Sequence, residues 1–243
     1  MIECASVTDK GQRTHNEDAI GVFSHGEISG MIVCDGLGGH GMGEVASAIT
    51  VDLFGEAVNA CNVIGRSFYE QFFETAQKKL LGEQKTHNAP NKMKTTAAAL
   101  MIDGNHAYVG HIGDSRVYVF DQSSIIFRTL DHSVPEALRR AGIITESEIR
   151  RHPDRNKLLK VLGSSEINAS GSVSEGIDLE NVKAFLLCTD GFWEHISEET
   201  MCDLLNTSDS PKAWLEQMTA EAVSNGARYS MDNYSAIAVW NKK

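Results

Sequence analysis

Two short apolar runs that break off in Asp-Gly constrain this chain more than any other feature: Met31-Ile32-Val33-Cys34-Asp35-Gly36 and Phe185-Leu186-Leu187-Cys188-Thr189-Asp190-Gly191. Runs this short and this apolar suit strands buried in a sheet, and Asp-Gly is a turn signal. Each carboxylate is therefore expected at a sheet rim, just past a strand end. Glu17-Asp18, Asp114 and Asp232 also lie beside β-like runs or open turns. Taken singly, an Asp-Gly is more often only a turn; the recurrence of the pattern carries the inference. Carboxylates gathered at one rim repel one another unless a cation neutralises them. A donor set made only of oxygen favours Mg²⁺ or Mn²⁺ over zinc or copper, and two such ions serve in-line attack on a phosphate ester. The residues alone thus point to two-metal phosphoester hydrolysis.

The patterning along the chain sets the fold class. Strands are expected at Ile2 to Thr8, Ala19 to Phe23 and Gly30 to Cys34, followed by helices at Glu44 to Ala60 and Ser67 to Leu81. Thr95 to Ile102, His106 to His111, Arg116 to Phe120 and Ile125 to Arg128 read as antiparallel hairpins, turning at Asp103-Gly104-Asn105 and Asp121-Gln122-Ser123. A short helix is expected near Val134 to Ala141, and another opens at the capping signal Thr145-Glu146-Ser147-Glu148. Strands at Val182 to Cys188 and Ala236 to Trp240 bracket helices at Glu198 to Leu205 and Pro211 to Gly226, and Gly163 to Gly176 is the most loop-like stretch. Runs of strands separated by helix pairs, without βαβ alternation, predict an α+β fold with helices covering antiparallel sheets. Its 243 residues, 42% of them hydrophobic, suit one large domain.

Composition excludes several functions. The formal net charge is −11 and the arginine doublets, Arg139-Arg140 and Arg150-Arg151, are far apart in sequence, so nucleic-acid binding is not expected. A phosphorylated substrate remains compatible, because bound divalent cations reverse the local sign. The start, Met1-Ile2-Glu3-Cys4, has no signal-peptide character and no apolar stretch would span a bilayer, so a cytoplasmic protein without membrane contact is expected. Cysteines 4, 34, 61, 188 and 202 form no CxxC pair, and two lie in apolar strand patterns, which suits reduced thiols.

Gly36-Leu37-Gly38-Gly39-His40-Gly41 fits the GxGxxG spacing of a dinucleotide loop. Asp35 would set a carboxylate against a pyrophosphate, and no βαβ unit follows. The alternatives are a plain turn, or a loop that lets backbone approach a metal or phosphate closely. Arg13 is a candidate phosphate ligand, and His40 a candidate for substrate binding or proton donation; His132 and His195 read as structural.

Arg13-Thr14-His15-Asn16-Glu17-Asp18, Val33 to His40, Thr95-Thr96-Ala97-Ala98, Gly113-Asp114-Ser115-Arg116, Asp131-His132-Ser133, Leu187 to Gly191 and Asp232-Asn233 together resemble the metal-dependent (type 2C) protein serine/threonine phosphatases, bacterial branch. The resemblance runs from about Arg13 to Trp240. It implies a central β-sandwich of two antiparallel sheets flanked by helix pairs. It also implies that Asp35 bridges two Mn²⁺ or Mg²⁺ ions, with Asp190 and Asp232 completing one and the Gly36 carbonyl the other. Glu17 and Asp18 would act through water, and Asp114 with Asp190 would hold a third, weaker ion. Arg13 would bind the phosphate, and residues 145–158 would form a mobile flap. The implied reaction is attack by a metal-bridging hydroxide on phosphoserine or phosphothreonine in proteins, opposing a bacterial Ser/Thr kinase, with the enzyme a monomer. Leu37, Lys94, Lys160-Val161 and Ser235 depart from the family pattern without removing an expected ligand. A phosphoprotein-binding module without turnover, and a nucleotide-binding enzyme built on residues 36–41, are the competing readings.

Overall fold

The computed structural model describes residues 2–38, 42–165, 170–228 and 230–242. The chain opens with strands β1 (Ile2–Asp9), β2 (Asp18–His25) and β3 (Ile28–Leu37), then helices α1 (Met42–Asn59) and α2 (Arg66–Thr86). Five strands follow: β4 (Lys94–Thr95), β5 (Ala97–Asp103), β6 (His106–Ile112), β7 (Arg116–Phe120) and β8 (Ile125–Arg128). Short helices α3 (Val134–Arg140) and α4 (Glu146–Ile149) lead to β9 (Ser172–Val173), β10 (Ile177–Asp178) and β11 (Ala184–Cys188). Helices α5 (Asp190–Trp193), α6 (Glu198–Thr207) and α7 (Pro211–Gly226) precede the final strand, β12 (Tyr234–Asn241).

These strands form two antiparallel sheets, ordered β1-β12-β11-β7-β8 and β10-β6-β5-β3-β2, with β4 added to β3 and β9 to β6. The central strands are buried on both faces, which is why their sequences run apolar without alternation. In β3, Met31 and Val33 point between the sheets, while Ile32 and Cys34 pack against α1 and α2. In β11, Phe185 and Leu187 meet the opposite sheet, and Leu186 and Cys188 face α5, α6 and α7. Each such side chain contributes about 1.5–3 kcal/mol on burial. The result is the expected α+β sandwich flanked by helix pairs.

Both Asp-Gly pairs differ from the turns expected of them. Asp35 and Gly36 continue β3, because β4 extends the pairing through Gly36↔Thr95 and Leu37↔Lys94. The Asp35 N–H donates to Thr96 Oγ1 at 2.9 Å, which fixes the strand at that point. Gly36 is required by close approach: a Cβ there would lie 2.3 Å from the Gly43 carbonyl oxygen and 2.4 Å from that of Glu17. Asp190 opens α5, and its carbonyl accepts from the Glu194 N–H at 2.9 Å. The helix expected after Thr145 is a single turn, with the Thr145 N–H donating to the Glu148 carboxylate at 2.7 Å. The loop expected over Gly163 to Gly176 contains β9, paired to β6, and residues 166–169 of it lie outside the described residues. The cysteines at 4, 34, 61, 188 and 202 are free thiols.

One buried ion pair ties the two ends of the hairpin beneath the site. Arg116, at the start of β7, donates to both oxygens of Asp131, at 2.9 and 2.6 Å, with both side chains 1% exposed. Arg116 also lies flat over Trp193, 3.4 Å from the ring centre, and donates to the Tyr118 hydroxyl at 2.9 Å. Removing the guanidinium leaves Asp131 with only Arg128, 3.6 Å away. Arg116→Met is therefore expected to destabilise the fold by about 3 kcal/mol, measured by urea denaturation. Asp131→Leu in the same chain should recover part of that loss, because it removes the stranded charge.

Candidate active site

At one end of the sandwich lies an open cavity of about 730 Å³. Six carboxylates line it, Glu17, Asp35, Glu44, Asp114, Asp190 and Asp232, facing one guanidinium, Arg13. The two sheets supply them separately. Asp35 comes from β3, Asp114 from the β6–β7 connection, Asp190 from the first turn of α5 after β11, and Asp232 from the segment before β12. Asp18 sits behind this lining, directly across the β2–β3 pairing from Asp35. The structure thus gathers every carboxylate singled out from the sequence, with Gly36 and Arg13, at one end of the fold. His40, the remaining candidate, lies outside the described residues.

The charges are poorly compensated. Burial raises Asp35 well above the usual carboxylate range, and Asp190, Asp18, Asp114 and Asp232 push it further. Asp114 is raised likewise, by burial and then by Asp190. Asp190 is pushed up to about 6 by burial and Asp232. Asp18 rises to about 7, mainly through burial, although Thr189 Oγ1 at 2.8 Å and Ser235 Oγ at 2.7 Å both donate to its Oδ2. Asp18 Oδ1 and Asp114 Oδ1 are buried with no hydrogen-bond partner. Orphaned anionic oxygens cost several kcal/mol unless an ion, proton or water satisfies them.

Arg13 Nη2 lies 2.6 Å from Asp232 Oδ2, and both side chains are largely exposed. An exposed pair of this kind contributes at most about 1 kcal/mol, so exchanging either partner costs little. Among the described residues no three His, Cys, Asp or Glu side chains stand close enough to hold a metal as arranged. Asp232 is instead engaged by Arg13.

Several residues that sequence reasoning left aside hold this arrangement. Asn233 accepts from the Glu17 N–H at 2.8 Å and donates to the carbonyls of Lys10 and His15, at 3.0 and 2.8 Å, so it pins the loop carrying Arg13 and Glu17. Its place beside Asp232 was the only sequence signal. Trp193 Nε1 donates to the Asp114 carbonyl at 3.0 Å. The ring of His132 accepts from the Gly113 N–H at 3.2 Å and stacks on His111 at 4.7 Å. Gly113 has φ +99°, a conformation that favours glycine and turns the chain just before Asp114. Of the stretch that fits a dinucleotide loop, residues 39–41 lie outside the described residues, and Asp35 and Glu44 flank it with charges that would repel a pyrophosphate.

The expected flap segment is tied down by ion pairs. Glu146 bridges Arg128 at 2.8 Å and Arg139 at 3.2 Å, Arg150 reaches Glu198 at 2.6 Å, and Arg155 reaches Glu194 at 3.2 Å. Asn156 and Leu158 from the same segment line the acidic cavity.

Comparison with known proteins agrees with this geometry. The serine/threonine phosphatase stp of Listeria welshimeri is 28% identical over 240 residues, covering 96% of this chain and 93% of that protein. Protein phosphatase PhpP of Streptococcus pneumoniae is 30% identical over 248 residues, covering 98% and 97%. The crystal structure of serine/threonine phosphatase Stp1 from Staphylococcus aureus aligns with a TM-score of 0.90 at 28% identity, over 100% of this chain and 96% of that one. A profile described as protein phosphatase 2C matches residues 9–232. The chain belongs to the protein phosphatase 2C family, a metal-dependent class.

Proposed function

We propose that this chain removes phosphate from phosphoserine and phosphothreonine in proteins, using two Mn²⁺ or Mg²⁺ ions at the acidic cavity and a third, weaker one near Asp114. The observation that carries this reading is the convergence of six carboxylates, two of them with orphaned or strongly proton-seeking buried oxygens, opposite a single exposed arginine. The donor set fits hard divalent cations: it is all oxygen, it is over-charged, and Asp232 is held away only by a weak surface pair. In this reading Asp35 would help hold both ions, Asp190 and Asp232 one of them and the Gly36 carbonyl the other, with Glu17 and Asp18 acting through water. When bound, such ions would supply a nucleophilic water at neutral pH and offset charge on the transferring phosphoryl group.

The chain's own groups supply the rest. Arg13, released from Asp232, offers two parallel N–H donors to the phosphate oxygens of the substrate. Asn233 keeps Glu17 and Arg13 in register, and Trp193 fixes the backbone of Asp114. Leu37, which lines the cavity, has no proton to give a leaving serine or threonine oxygen. His40 stays the proposed donor or substrate contact. Residues 145–158 form the cavity's flap.

No described helix is long and apolar enough to cross a membrane. A cytoplasmic monomer opposing a bacterial Ser/Thr kinase is the setting proposed, with the phosphorylated targets of that kinase as substrates and no nucleic-acid partner.

The direct test is phosphate release from a phosphothreonine peptide and a phosphotyrosine peptide by metal-stripped protein, with and without added Mn²⁺. Release only from phosphothreonine and only with Mn²⁺ is expected; release unaffected by chelation would overturn the reading. Asp35→Asn and Asp232→Ala are each expected to lower turnover by roughly a hundredfold to a thousandfold with the circular dichroism spectrum unchanged. Near-normal turnover in either would remove that residue from the ligand set. Asp114→Ala should lower turnover while equilibrium dialysis still finds tightly bound metal. Loss of all metal would place Asp114 in the primary pair.

A further inference from the structure

Between residues 150–155 and the segment that follows α5 lies a second cavity of about 570 Å³. Arg150, Arg151, Arg155 and Arg228 line it, with Glu194 and His195. Four of the chain's ten arginines thus meet in one place on a protein of net charge −11. Sequence gave no hint of this, since Arg228 lies more than seventy residues from the other three. Arg155 is paired with Glu194 and Arg150 with Glu198. Among the described residues that leaves two guanidinium groups over, Arg151 and Arg228, both exposed. The positive potential is felt locally: His195 is held below its usual range by burial first, then by Arg155 and Arg150.

The second cavity is physically joined to the first. Glu194 follows Asp190 by four residues around α5, with the Glu194 N–H donating to the Asp190 carbonyl at 2.9 Å. The helical rise puts those two positions about 6 Å apart along the axis. Arg155 borders the basic cavity, and the next residue, Asn156, borders the acidic one. An extended peptide advances about 3.3–3.6 Å per residue. A phosphoresidue at the acidic cavity therefore sets its flanking positions, roughly two to four residues away, over the arginines.

We propose that this arginine-lined cavity is a docking subsite for the acidic flank of a phosphoprotein substrate, taking carboxylate side chains near the phosphoserine or phosphothreonine. The assignment of the peptide as a substrate rests on the phosphatase reading above; the anion-binding site itself does not. Acidic partners approach a strongly acidic protein against an unfavourable field, and a local basic cavity beside the catalytic cleft reverses that field where contact is made. Guanidinium groups with unpaired donors suit carboxylates geometrically.

The test compares wild type with the Arg228→Glu variant, whose changed side chain is exposed and lies outside both the flap and the catalytic machinery. Two phosphothreonine peptides are used, one with Glu and one with Gln at positions two to four residues on either side, with p-nitrophenyl phosphate as a small substrate. The variant is expected to raise KM for the Glu peptide roughly fivefold, as expected for reversing one exposed charge. kcat, the Gln peptide and p-nitrophenyl phosphate should be unchanged. In parallel, fluorescence anisotropy follows a labelled, unphosphorylated Glu peptide binding to metal-stripped protein, and the variant should lose that binding. Equal KM for Glu and Gln peptides in wild type, a KM rise common to both peptides, or undiminished binding by the variant would each overturn the subsite. An oligonucleotide binding as tightly as the Glu peptide would also overturn it. If wild type hydrolyses none of the three substrates yet binds the labelled peptide and the variant does not, the docking site stands and the phosphatase reading falls.

Discussion

Mutual repulsion among buried carboxylates is the constraint on which the rest of this structure depends. Asp35, Asp114 and Asp190 are drawn close at the end of two packed sheets, with Asp18 directly behind. Their pKa values rise through burial and through one another, so the protein gives up electrostatic free energy to hold them there. Only a rigid frame keeps such a cluster from splaying into solvent. Core aliphatics on both faces of β3 and β11 provide that rigidity, and a divalent cation turns the unfavourable term into a favourable one.

The frame is held to the site by a set of buried polar contacts. Arg116 grips Asp131 through two hydrogen bonds and stacks on Trp193, whose indole N–H reaches the Asp114 backbone. Arg150, just after α4, lies 5.4 Å from the centre of the same indole and is held by Glu198. One aromatic ring thus stands between Arg150, the buried ion pair and the backbone of Asp114. On the opposite wall Asn233 joins three backbone groups of the segment from Lys10 to Glu17. These contacts place carboxylates from distant parts of the chain without asking any loop to be rigid by itself.

Charge is distributed to match. An acidic cavity and an arginine-lined cavity border positions only four residues apart in the chain, at Asp190 and Glu194. The net charge of −11 describes neither of them. What a binding partner meets is the local sign, and here it changes within the length of a short peptide.

Much of this was legible in the sequence. Period and run length gave the two antiparallel sheets and helix pairs, because residues buried on both faces of a strand must be apolar whatever their neighbours are. The acidic positions stood out for the same reason: a carboxylate at the end of such a run has no use in a core. Local signals failed where pairing partners were distant. Asp35-Gly36 reads as a turn, yet β4, almost sixty residues on, keeps it extended. Asp190-Gly191 reads as a turn, yet it begins a helix. Asn233, Trp193 and His132 carry no local mark of their roles, since each acts on backbone brought to it only by folding. The arginine cavity is the clearest case. The sequence by itself determined the layers and the acidic inventory, through burial and hydrophobic period; the tertiary structure alone decided which charges face one another, because Coulomb's law acts on distance in space and not along the chain.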